Sequence, residues 1–148
     1  PVRQTVKQEI SLTEVYAMSL RYVKGSYMDE ILVNGNPVLV VLEGLEEGKE
    51  KEARRYGKSV WEWILAHRPR VAAHAPLIAK FKNEHWLNDG EPEMTAEQIR
   101  ASLERINSVY MTYNGDFDVF FATNEIFDNR AVVITMSKDF QFKQLRLL

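Results

Sequence analysis

The chain has 148 residues, 45% hydrophobic and 27% charged, which is the balance of one globular domain and not of a disordered segment. It contains no cysteine, which excludes a disulfide scaffold, a thiolate zinc site and a cysteine nucleophile. Its formal net charge of -2, from 19 basic and 21 acidic residues, gives no general reason to expect nucleic-acid or anionic-membrane binding.

Residues 1 to 10 hold no apolar core of signal-peptide length, and the longest apolar run, Val38 to Leu42, is too short to span a bilayer. A cytoplasmic protein is the expectation. Alternation of apolar and polar residues through Ile10, Leu12 and Val15 to Val23, and again from Tyr27 to Val33, predicts antiparallel strands. Asn34-Gly35-Asn36-Pro37 then precedes Val38 to Leu42, and Asn-Gly tolerates the positive φ of a tight hairpin. Pro37 fits only at the edge of the strand that follows. The chain therefore opens as a β-meander.

From Glu46 to Leu87 the period lengthens to about 3.6. Tyr56, Val60, Trp63, Ile64 and Ala66 form the expected inner side of a first helix, with Lys49, Glu52, Lys58 and Glu62 outside. Pro69 stops or kinks that helix, because proline lacks the amide donor and clashes with the preceding turn. A second helix runs on to Trp86, and Pro76 either bends it or marks its start. Thr95-Ala96-Glu97-Gln98 has the form of a capping box, opening a short third helix to about Leu103. Strands return at Ile106 to Tyr113, Phe117 to Ala122, Arg130 to Met136 and Phe140 to Leu147, with a hairpin at Asn114-Gly115 and a turn at Ser137-Lys138-Asp139. Strands, helices, then strands indicate a single α+β domain over residues 1–148, with two to three helices packed on one face of an antiparallel sheet.

The charge is uneven along this plan. Residues 1–83 carry +3, residues 84–128 carry -8 and residues 129–148 carry +3. An acidic segment of this kind suits steering and binding of a basic partner. Trp61 and Trp63 lie about 200° apart around one helix, so one of them belongs at a rim or an interface. The expected partner-binding set is Glu91, Glu93, Asp116, Asp118, Glu125 and Asp128, with Trp61 as the apolar anchor.

Catalytic patterns are sparse. Gly57-Lys58-Ser59 lacks the upstream glycine of a phosphate loop, position 52 being Glu, and no serine sits in a glycine-framed elbow. The histidines His67, His74 and His85 form no metal-binding spacing, and the adjacent Glu84 and His85 point to different sides of a helix. Asp116 and Asp118 share one face of a strand and are the main candidates for a carboxylate pair. No cofactor is expected. Basic residues from Lys49 to Lys58 alternate with acids, which argues against a nucleic-acid face.

In order and spacing, several short segments resemble an uncharacterised bacterial family known only as a domain of unknown function. They are Tyr27 with Ile31 to Gly35 and Val38 to Leu42, Lys82-Asn83-Glu84 with Trp86-Leu87, Thr95 with Gln98-Ile99, Ile106 to Tyr110, and Phe117 to Phe121 leading to Glu125-Ile126-Phe127. Members of that family end in a Phe-Trp/Gly-Gly-His step before a strand; here Asp128-Asn129-Arg130 stands at that place, so no histidine role carries over. The resemblance implies kinship with small cytosolic proteins encoded near toxin systems. The expected function is a non-enzymatic, cytosolic protein-binding module, of the immunity type, masking a basic toxin. The alternative is a small hydrolase or metal-dependent enzyme using Asp116 and Asp118 or Glu84 and His85. Oligomeric state is left open by the sequence.

Overall fold

The computed structural model describes residues 18–33, 35–67, 74–102, 105–122, 126–127 and 130–148. Among the described residues seven strands are formed: β1 (Arg21–Val23), β2 (Ser26–Val33), β3 (Asn36–Glu43), β4 (Ile106–Thr112), β5 (Phe117–Phe121), β6 (Val132–Met136) and β7 (Phe142–Leu147). Three described helices, α1 (Glu50–Ala66), α2 (Ala75–His85) and α3 (Ala96–Ser102), lie between β3 and β4 in the chain. The fold is α+β, as the segment pattern indicates. The expected strand pairing ahead of Met18 and the Pro69 break fall outside the described residues.

The strands build one sheet in the order β1 to β7, so position in the sheet follows position in the chain. Neighbours are antiparallel except β3 and β4, where Val40 faces Val109 and Leu42 faces Met111 in a parallel ladder. A parallel join cannot be made by a tight turn, and the helical segment supplies the crossover it needs. Lys24 and Gly25, with φ of 49° and 96°, close the β1–β2 hairpin in the two-residue turn whose twist matches the strands. Pro37 is accommodated because the β3–β4 ladder begins only at Leu39 opposite Ser108. At the Asn114-Gly115 hairpin the turn sits one residue earlier than a centred Asn-Gly. The Gly115 amide donates to the Thr112 carbonyl at 2.8 Å, and Asn114, not the glycine, carries the positive φ of 56°.

One face of the sheet bears Tyr27, Val40, Leu42, Val109, Met111, Phe117, Val119, Ile134 and Met136, all but buried beneath the helices. Helix α1 turns Ala53, Gly57, Val60, Trp61 and Ile64 toward them. This corrects the expected inner side: Ala66 is exposed and Tyr56 and Trp63 are half-buried. The cause is Gly57, where an added Cβ would lie 2.9 Å from Leu20 Cδ1 and 3.3 Å from Met18 Sδ. A helix that packs this closely centres its contact on the residue with no side chain, which hydrophobic periodicity does not register. Helix α2 starts at Ala75 with Pro76 in its first turn, where the missing N–H has no intrahelical partner to lose. At α3 the capping box is reciprocal, Thr95 N donating to Gln98 Oε1 at 2.9 Å and Gln98 N to Thr95 Oγ1 at 3.2 Å. No helix among the described residues is long and apolar enough to cross a membrane.

Candidate binding face

The sheet face away from the helices follows from the strand register. One row across all seven strands reads Arg21, Met28, Val41, Tyr110, Asp118, Thr135 and Gln144. The next reads Glu30, Leu39, Ser108, Phe120, Val133 and Arg146. Alternation in a strand sends successive side chains to opposite faces, so these rows form the face opposite the helices, on which Val41, Ser108, Val133 and Thr135 are nonetheless buried. Tyr110, 38% exposed, stands edge-on to Phe120 with ring centroids 5.2 Å apart, and Leu32 at the end of β2 is 51% exposed. Beside Tyr110 the face dips into a depression of about 320 Å³, bounded by Glu43, Asp118, Thr135, Gln144 and Arg146.

Asp116 and Asp118 both border this depression, yet each is engaged by a separate cation of β7. Lys143 Nζ lies 2.7 Å from Asp116 Oδ2, and Arg146 Nη2 lies 3.0 Å from Asp118 Oδ2. Thr135 Oγ1 donates to the other oxygen of Asp118 at 2.5 Å. The two carboxylates are thus fixed by bases rather than turned to one another. Both ion pairs are partly solvent-exposed, with side-chain exposures of 51% and 45% for the first and 36% and 28% for the second. Such pairs contribute little net stability and exchange readily for others.

Glu91 belongs elsewhere. It sits in the loop after α2, on the helical side of the sheet, and its Oε1 accepts from Lys82 Nζ at 2.9 Å and from the Asn88 amide at 3.0 Å. Lys82 is 1% exposed, and its ammonium also donates to the Trp86 carbonyl at 2.6 Å. The hydrogen bond from Lys82, joined by the Asn88 amide and the lysine charge, holds the Glu91 carboxyl below the usual carboxylate range. Asn83 clamps the same loop, donating to the Met94 carbonyl at 2.9 Å and accepting from its amide at 2.8 Å. Glu93 is exposed on that loop, and Glu125 and Asp128 lie outside the described residues.

The -8 segment therefore does not form one surface among the described residues: the sheet stands between Asp116 and Asp118 on one side and Glu91 on the other. Trp61 is corrected as well. It is 1% exposed within the core, and its indole Nε1 has no hydrogen-bond partner among the described residues. Trp63 takes the rim instead, stacked between His67 at 4.6 Å and Phe140 at 4.8 Å.

Glu84 and His85, expected on different sides of α2, approach to 3.7 Å at its exposed C-terminal end. His74 stacks on Phe142 at 4.0 Å, and burial lowers its pKa below the ordinary histidine value. Among the described residues no three His, Cys, Asp or Glu side chains come together as metal ligands would. The residues that sequence reasoning missed are Tyr110, Phe120, Thr135, Lys143 and Arg146. A signal for the two bases was present, since a chain-ordered sheet places the cationic terminal strand, with Lys143 and Arg146, two strands from the acids of β5. Comparison of the chain with protein-family models, curated proteins and solved structures returned no match.

Proposed function

We propose that the chain is a non-enzymatic protein-binding module of the immunity type, which docks a basic protein on the sheet face the helices leave uncovered. The observation that carries this reading is Tyr110, exposed on the middle strand of the sheet, in a row with half-buried Met28 and flanked by exposed Glu30 and Glu43. An exposed aromatic with acids at its rim matches the anatomy of a charge-steered interface. The cations of β7 keep Asp116 and Asp118 oriented in the free protein. A lysine or arginine of the partner then displaces Lys143 from its half-exposed carboxylate at small cost. Tyr110 replaces Trp61 as the anchor. Glu93, exposed on the loop after α2, would act as a separate acidic contact, and a toxin is the partner class the family resemblance implies. The carboxylate-enzyme alternative is disfavoured by the engagement of Asp116 and Asp118 with separate bases.

A photocrosslinking side chain placed at Tyr110, with a control at Lys51 on α1, tests the reading in extract from the native cell. The expected product at position 110 is a strongly basic protein, with yield falling about tenfold in the Glu30→Lys, Glu43→Lys variant and at high salt. Equal crosslinking from Lys51, or indifference to charge reversal, overturns it.

A further inference from the structure

A different surface carries a second reading. Strand β7 is an edge of the sheet, with no neighbour on its outer side among the described residues. Ala131 and Leu148 exchange both backbone hydrogen bonds, at 2.8 and 3.1 Å, so Leu148 faces β6. With an unbroken register from Val132 opposite Leu147 to Thr135 opposite Gln144, the N–H and C=O groups of Leu145 and Leu147 must point outward. Exposed edges are normally protected by charged side chains. Here Lys143 and Arg146 are drawn onto the helix-free face by Asp116 and Asp118, and the helical side of the edge is apolar. A groove of about 460 Å³ runs there between β7 and α2. Leu77, Phe81 and Phe142 line it at 52%, 37% and 39% exposure, and Leu148 beyond is 55% exposed.

We propose that β7 and α2 pair with the same elements of a second copy of the chain, joining two sheets antiparallel with Leu145 opposite its own counterpart. Three observations select a second copy. A surface that meets itself must carry balanced charge, and each cation lining the groove is already answered, Lys80 by Glu84 at 4.0 Å and Arg146 by Asp118 at 3.0 Å. A two-fold axis normal to the sheet keeps both helical layers on one side, so the exposed apolar residues of each α2 flank the same seam. The register about Leu145 sets Arg146 opposite Gln144, whereas a shift by one position, to Arg146 opposite itself, opposes like charges.

Because the chain has no cysteine, Leu145→Cys introduces a single thiol, and paired strands hold such residues about 5.5 Å apart, within disulfide reach. Sedimentation from micromolar to hundreds of micromolar is expected to show a dimer. Oxidised Leu145→Cys is expected to run as a covalent dimer while Leu32→Cys does not. Leu77→Glu, at an exposed site that leaves the circular dichroism spectrum unchanged, is expected to weaken dimerisation at least tenfold. A monomer at every concentration, a dimer indifferent to Leu77→Glu, or crosslinking from Leu32→Cys alone overturns the proposal.

Discussion

Lys82 is a buried cation whose charge is met by one carboxylate and one carbonyl. Neutralising the carboxylate leaves an ammonium in the core with no countercharge from Glu91, facing only neutral groups such as the Trp86 carbonyl and the Phe127 ring 5.8 Å away, which is worse than having no charge there. Glu91→Gln is therefore expected to lower the melting temperature at neutral pH by several degrees. The pH dependence has a definite sign. The folded carboxyl titrates below its unfolded value of about 4.3, so the folded state binds fewer protons between the two. The stabilisation is complete above about pH 4.3 and is lost as pH falls through the folded pKa. Melting from about pH 6 to about pH 2 is expected to show a shallower acid limb in Glu91→Gln; an unchanged limb would mean that Lys82 does not hold Glu91 in solution. Glu91 was legible in the sequence as an acid in an acidic stretch. Its partner was not, because a lysine nine residues earlier reads as solvated until a helix end and a returning loop enclose it.

At the scale of elements, β4 to β7 and the capping box of α3 were legible to within about two residues, because alternation and turn chemistry act locally. The inward face of α1 was not, since close packing at Gly57 is a tertiary event. Gly57 offers a test of which effect wins there. Alanine gains about 1 kcal/mol of helix propensity, and its Cβ meets only the movable ends of Leu20 and Met18. Gly57→Ala is thus expected to fall within about 1 kcal/mol of the parent in urea unfolding. Gly57→Leu must push the helix off the sheet and is expected to cost about 1–3 kcal/mol. Equal stability of the two variants would show that the close approach is not maintained in solution.

For the whole molecule, the helices divide the sheet into a buried face and one whose acids are answered from the terminal strand. The bulk charge of -2 conceals this pairing as thoroughly as it conceals the acidic segment. Local patterning can locate acids and bases along the chain, but only the strand order brings Asp118 and Arg146 together. The same order predicts a gradient of protection. Amide exchange is expected to be slowest at Val40, Val109, Val119 and Ile134, whose side chains lie under the helices in the middle of the sheet. It is expected to be fastest in β1, which is three residues long. Equal protection in β1 and β4 would contradict this gradient.

The parallel seam between β3 and β4 also governs how the protein is made. Strands β1 to β3 pair as soon as they are synthesised, but the partners of Leu39 to Glu43 follow roughly 70 residues later. At about 5–20 residues per second the ribosome needs roughly 3–14 seconds to deliver them. Throughout that interval the longest apolar run of the chain, Val38 to Leu42, is an unprotected edge on a nascent chain. The vulnerable moment in the life of this protein is therefore its synthesis, when the helices that will cover the seam are being translated ahead of the strand that closes it.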